Sequence, residues 1–459
     1  MDRPDWKGPL GEAFAHSLSY LDDLPERSIS PAADLAQLRA SLGGPLPDGP
    51  QDAARVVAEL AAAAGPGVLA SGSGRFYGFV VGGATPAALA ADWLASVWDQ
   101  NAGLYVLGPA AAVVEEVAGA WVADLLGLPP HASVGFVTGA QMANFTALAA
   151  GLHAVLARSG WDLGTAGLWG APRVRVLAGE QRHGTVDRAL RFLGAGTGVV
   201  EPVPADDQGR MRVDALEAAL DDRPTIVCAQ VGNVNTGAVD PVGEISDVAH
   251  RHGAWVHVDG AFGMWAAASP RLRPLVAGVE RADSWATDAH KWLNVPYDCG
   301  LVFCADPAAH RAAMGARAGY LVHGAAGERD ALDHNPEHSR RARGFAVYAA
   351  LRAMGRSGVA DLVDRSCALA RRFAAQLEAA PGVEVLNEVV LNQVLVRFAD
   401  SDEVTRHVVD GVQRDGTCWC SGSVWQGRAA MRISVSNWST DEADVDRSVA
   451  AILRCLPTA

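Results

Sequence analysis

Lysine occurs only twice in the 459 residues, at Lys7 and Lys291, while arginine carries nearly all the positive charge. Arginine replaces lysine readily on a solvated surface, but its guanidinium stays protonated and forms no imine with an aldehyde. The lysine retained in DSWATDAHKWLNVPYDCGLVF therefore points to chemistry: an amine held away from bulk water has a lowered pKa and becomes a usable nucleophile. Two other stretches carry groups that could work with it. In FVTGAQMANF an apolar run turns through Thr138, Gly139 and Ala140 into a helix, whose free backbone N–H groups and positive dipole end favour a phosphate. Small residues in such a turn also serve plain packing. In AWVHVDGAFGMW a buried strand ends at Asp259, and ligands of open α/β sheets bind beyond the carboxyl ends of their strands. Asp259 there suits a metal ligand, a helix cap or the partner of a protonated heterocyclic nitrogen.

A phosphate turn, a strand-end carboxylate and a lone lysine together fit one cofactor. Pyridoxal 5'-phosphate has a phosphate, a ring nitrogen that stabilises carbanions when protonated, and an aldehyde that condenses with amines.

The elements that must position these groups alternate short apolar runs, at 174–180, 225–231, 255–260 and 300–306, with helical stretches at 141–157, 212–220 and 243–252. That alternation predicts an α/β fold with a mostly parallel sheet. We expect three units: an N-terminal helical arm over 1–70, a large α/β domain over 71–344, and a smaller C-terminal α+β domain over 345–459. Apolar positions at helical spacing over 86–100 and 110–128 predict helices whose broad faces meet another subunit or domain.

The formal net charge of -14 and a pI near 5.4 disfavour nucleic-acid and anionic-membrane partners, which need basic patches. The charged N-terminus lacks the apolar core of a secretory signal, so the expected location is cytoplasmic. Seven cysteines show no paired CxxC spacing, and no metal site is expected. Cys418 and Cys420 would share one face of an extended segment, where reduced thiols are the plainer reading.

Several ordered motifs resemble one family: RFYGFVVGG, VTGAQMAN, EQRHGTVDRAL, VGNVNTGAVDPV, WVHVDGAFG, DAHKWL and RISVSNWST. Over most of its length the chain is similar to the group II amino-acid decarboxylases, pyridoxal-phosphate enzymes of fold type I that include aromatic amino-acid and glutamate decarboxylases. The resemblance implies a Schiff-base lysine at Lys291, a ring-stacking histidine at His183, the ring-nitrogen carboxylate at Asp259 and the small residue beneath the ring at Ala261. It implies a phosphate turn of Gly139, Ala140 and Gln141, with Asp288 near the phosphate and His290 beside the substrate or a mobile loop. Asn233 would reach the ring hydroxyl or stabilise its own turn. Phe76 and Tyr77 match aromatics at the substrate entry, often from a neighbouring subunit, and could equally be interface core. A homodimer with active sites at the subunit interface follows from the same resemblance.

The expected reaction is decarboxylation of an L-amino acid, with an aromatic substrate favoured by Trp292, Trp419 and Trp425, although tryptophans at strand ends are more often core or interface; Arg432 could pair with an acidic substrate or with the C-terminal fold's own carboxylates. One departure bears on the outcome. Aromatic-type relatives carry a proton-donating tyrosine in a mobile loop, whereas the corresponding segment 321–341 has none; His323, His334 or His338 would have to supply the proton. Relatives without that tyrosine divert to oxygen-dependent deamination. An oxidative deaminase or aminotransferase on the same fold, or a non-catalytic cofactor-binding scaffold, are the alternatives.

Overall fold

The computed structural model describes residues 5–457 except 317, 320 and 326. Seven short strands form the central sheet: β1 (Ser133–Val137), β2 (Arg175–Gly179), β3 (Val200–Val203), β4 (Thr225–Gln230), β5 (Trp255–Asp259), β6 (Ser284–Asp288) and β7 (Gly300–Cys304). Their order is β1-β7-β6-β5-β4-β2-β3. The pairs from β3 through β6 are parallel, and β7 runs antiparallel to both β1 and β6. Every residue of β5, β6 and β7 is buried. Helices cover both faces, which is why these strands read as continuous apolar runs rather than as an alternation.

The carboxyl ends of β2, β4, β5 and β6 emerge on one side of the sheet, so Asp259 and Asp288 end neighbouring strands. The antiparallel β7 returns at that same edge, starting at Gly300 opposite Asp288. Only glycine fits there, because a Cβ at Gly300 would lie 2.5 Å from the Gly139 Cα. The helix Ala140–Arg158 runs back beneath the sheet with a mostly buried surface. Among the described residues it is the one helix long and apolar enough to cross a membrane, and it is spent on the core.

The long helix Gly344–Glu378 breaks at Gly355, whose φ of +63° suits glycine, and leads to a second sheet. That sheet is antiparallel throughout, ordered β10-β11-β9-β8 from β8 (Val383–Val385), β9 (Gln393–Phe398), β10 (Ser421–Trp425) and β11 (Arg428–Ser434). At the other end of the chain, the helix Lys7–Asp23 contributes no buried residue and leaves Leu10, Phe14 and Leu18 exposed.

A buried ion cluster ties the outer helices to the segment that follows the sheet. Glu115, fully buried on the helix Pro109–Leu126, lies 2.9 Å from the Arg340 guanidinium and 3.6 Å from that of Arg329. Arg340 also donates to the carbonyls of Ala102 and Phe136, at 2.7 and 2.6 Å. Removing one partner strands a buried charge, so Glu115→Ala is expected to destabilise the protein by about 3–5 kcal/mol, read from denaturant unfolding. An unchanged unfolding midpoint would mean that water reaches the cluster.

Candidate active site

Asp259 ends β5 with its carboxylate held in place from three sides. Asn144 Nδ2 donates to it at 3.0 Å, the Thr185 hydroxyl at 3.4 Å and the Ala261 N–H at 3.3 Å. Behind Asn144 the support continues: its Oδ1 lies 2.9 Å from His257 Nε2, His257 Nδ1 lies 3.0 Å from Ser284 Oγ, and Trp255 Nε1 donates to that same Oγ at 2.9 Å. Because Asn144 spends its amide N–H on Asp259, its oxygen must accept, which puts the His257 proton on Nε2. Burial lowers the His257 pKa to about 4, so the relay stays neutral and orients the carboxylate without neutralising it.

Lys291 follows β6 by three residues, and its ammonium lies 2.8 Å from Asp288 Oδ2. The other Asp288 oxygen accepts the Ala140 N–H at 2.6 Å, at the start of the helix Ala140–Arg158. This revises the expectation for the phosphate turn: the Ala140 N–H is aimed at Asp288 rather than left open. Gly139 itself is closely hemmed, since a Cβ there would lie 3.1 Å from the His290 ring. His290 Nδ1 accepts the Cys299 N–H at 3.1 Å, so its proton sits on Nε2, 3.6 Å from Asp288.

His183 caps the helix Gly184–Phe192, its Nδ1 accepting the Thr185 N–H at 3.3 Å. Burial pushes both His183 and His290 below the usual imidazole range, so both rings are neutral at neutral pH.

These groups share one cleft of about 350 Å³, bounded by Thr138, Gly139, Ala140, Gln141, His183, Asp259, Ala261, Asp288, His290 and Lys291. The remaining wall is Val80, Thr185, Gln230, Gly232, Val234, Phe262 and Tyr297. The donor set fits pyridoxal phosphate: one lysine amine, one buried and oriented carboxylate, small residues between them, and a cradle at Gly139 that a Cβ would crowd.

Four of the expected residues lie outside the cleft of their own chain. Asn233 is turned away from the cleft: its Nδ2 donates to the Gln181 carbonyl and Gln230 Oε1, at 3.2 and 3.1 Å, and its Oδ1 accepts the N–H groups of Asn235 and Thr236. It therefore serves its own turn. Phe76 is buried against Trp419, with ring centroids 5.2 Å apart. Tyr77 is buried edge-on to Phe373, its hydroxyl accepting from Ser448 at 3.4 Å. Both are core because this segment runs as a bridge beside Trp419; Val80 is the residue of the stretch that reaches the cleft of its own chain. His338 is exposed and outside that cleft.

The loop's other histidines are also engaged elsewhere. His323 lies 3.1 Å from Asp330, and His334 packs against His310 and is held at a pKa of about 3, chiefly by burial. Trp292, Trp419 and Trp425 do not line the cleft. Arg432 on β11 is buried and close enough to His183 to lower its pKa. Burial alone pushes Arg432 to about 10, with no carboxylate offsetting it, and its Nε has no partner among the described residues.

Sequence reasoning missed Asn144, His257 and Ser284, which are polar residues inside apolar patterns, and Tyr297, whose place depends on how β7 returns.

A family model described as "Pyridoxal-dependent decarboxylase conserved domain" matches residues 36–399. Tryptophan decarboxylase 1 of Oryza sativa subsp. japonica is 30% identical over 422 residues, which span 84% of this chain and 81% of the relative. The aromatic-L-amino-acid decarboxylase of Bacillus atrophaeus is 27% identical over 406 residues, spanning 86% and 82% of the two chains. Among solved structures, Oryza sativa TDC with PLP and tryptamine superposes with a TM-score of 0.92 at 26% identity, over 99% of both chains.

Proposed function

The chain belongs to the pyridoxal-dependent decarboxylase family, the group II amino-acid decarboxylases, and from that premise we propose that it decarboxylates an aromatic L-amino acid to the corresponding amine and carbon dioxide. It is a pyridoxal-phosphate-dependent amino-acid decarboxylase of fold type I. The observation that carries the site assignment is the convergence of Lys291, Asp259 and His183 on one cleft with the 139–141 turn.

When bound, pyridoxal phosphate supplies an aldehyde for amines and a protonated ring that accepts electrons. Lys291 would hold it covalently, and Asp259 would keep a proton at its ring nitrogen. Gly139 and Gln141 would carry the phosphate, beside Ala140, whose N–H Asp288 holds. His183 and Ala261 would hold the two faces of the ring. Arg432, a buried cation without a carboxylate partner, would take the substrate's α-carboxylate and orient the bond to be broken. The aromatic preference rests on Val80, Phe262 and Tyr297 in the cleft wall.

The protein is further proposed to act as a cytoplasmic homodimer with active sites at the subunit interface, the exposed apolar face of the helix Lys7–Asp23 being covered by the second copy. A monomer by light scattering at micromolar concentration contradicts that.

An amino-acid panel assayed for carbon dioxide, amine and hydrogen peroxide tests the reaction. Stoichiometric amine and carbon dioxide from tryptophan, tyrosine or phenylalanine is expected. Turnover of glutamate or aspartate alone would overturn the substrate class, and peroxide with aldehyde, or a requirement for a 2-oxo acid, would overturn the reaction.

A further inference from the structure

We propose that Tyr297 is the acid that protonates the substrate's α-carbon after carbon dioxide leaves. This rests on the decarboxylase reading and adds the residue that decides between amine and aldehyde. Tyr297 lies in the wall of the cleft that holds Lys291, Asp259 and His183. Its ring stacks on His290 at 4.2 Å between centroids, 28° from parallel, which braces the ring. The segment is anchored one residue on, where the Asp298 carboxylate accepts Arg343 Nε at 2.8 Å. In the single chain 59% of Tyr297 is open, so water reaches the phenol.

Protonation states favour it over its neighbours. The phenol is pushed up to about 12, by its partial burial against the cleft wall and then by the nearby Asp288 carboxylate, so it holds its proton at neutral pH. Burial holds the His183 and His290 rings below the usual imidazole range, and His323, His334 and His338 are outside this cleft of the same chain.

The step balances without a co-reactant. The bond from the α-carbon to the carboxylate breaks and its electron pair stays with the carbon. That pair takes the Tyr297 proton to form the new C–H bond of the amine, and water returns a proton to the phenolate. Without a timely proton, dioxygen takes two electrons instead; with one water consumed, the products are aldehyde, ammonia and hydrogen peroxide.

The test compares wild-type and Tyr297→Phe holoenzyme in air, following carbon dioxide, amine, aldehyde and peroxide from the same amino acid. Amine formation is expected to fall about 10²-fold or more, with the remaining carbon dioxide matched increasingly by aldehyde and peroxide. A merely structural role would lower all products together. In the cofactor-free protein, ultraviolet titration of wild type against the variant should lose one phenol that ionises near 12.

Tyr297→Met replaces Tyr297→Phe should the latter fail to fold. Amine formation at the wild-type rate in the variant overturns the proposal, as does an equal loss of all products with no rise in aldehyde or peroxide. A wild type that releases no carbon dioxide overturns the decarboxylase reading as well, which separates the two failures.

Discussion

Asp259→Ala is expected to lower kcat by roughly 10³-fold or more while the protein still folds and binds pyridoxal phosphate. The carboxylate is held and aimed by its surroundings: three donors reach it, and a neutral chain through Asn144, His257, Ser284 and Trp255 holds the first of them. Asp259→Asn keeps the shape but cannot hold a proton at a ring nitrogen, so it should fall nearly as far as alanine. Asn144→Ala, which removes only the orientation, should cost much less. Rates at saturating cofactor check this, and an Asp259→Asn enzyme within tenfold of wild type would remove the carboxylate from the chemistry.

Lys291 variants should lose more, on the order of 10⁴-fold or beyond, as expected for a group that forms a covalent bond during turnover. Lys291→Ala and Lys291→Arg separate covalent chemistry from charge. Arginine can keep the ion pair with Asp288 and so protect the apo fold, but it cannot condense with an aldehyde. Both variants should be inactive, and alanine should additionally lose stability by roughly 1–3 kcal/mol because Asp288 is left buried with only the Ala140 N–H. Turnover retained in Lys291→Arg would refute the assignment.

The lysine, the strand-end carboxylate and the α/β alternation were legible from residue types and spacing alone, because each depends on local pattern. The strands predicted at 174–180, 225–231, 255–260 and 300–306 are β2, β4, β5 and β7. The antiparallel direction of β7 was not legible, since the pairing of Gly300 with Asp288 and its close approach to Gly139 are tertiary facts. The same holds for Tyr297, which is brought to the cleft by that return. Phe76 and Tyr77 pack the core of their own chain, a reading the sequence leaves open because aromatics near a site are indistinguishable there from aromatics that pack a small-domain core. Asn233 was readable only as two alternatives, and four hydrogen bonds decide for the turn. Glu115, Arg329 and Arg340 lie far apart in sequence, and no local pattern could have joined them.

The central claim is that Lys291 carries the cofactor. Its most direct test is borohydride reduction of the pyridoxal-phosphate-loaded protein, followed by peptide mapping with mass spectrometry. One phosphopyridoxyl group per chain is expected, on Lys291, and none in Lys291→Arg treated in the same way. A label on Lys7 or the N-terminal amine with Lys291 unmodified, or no label after saturation with the cofactor, would contradict it.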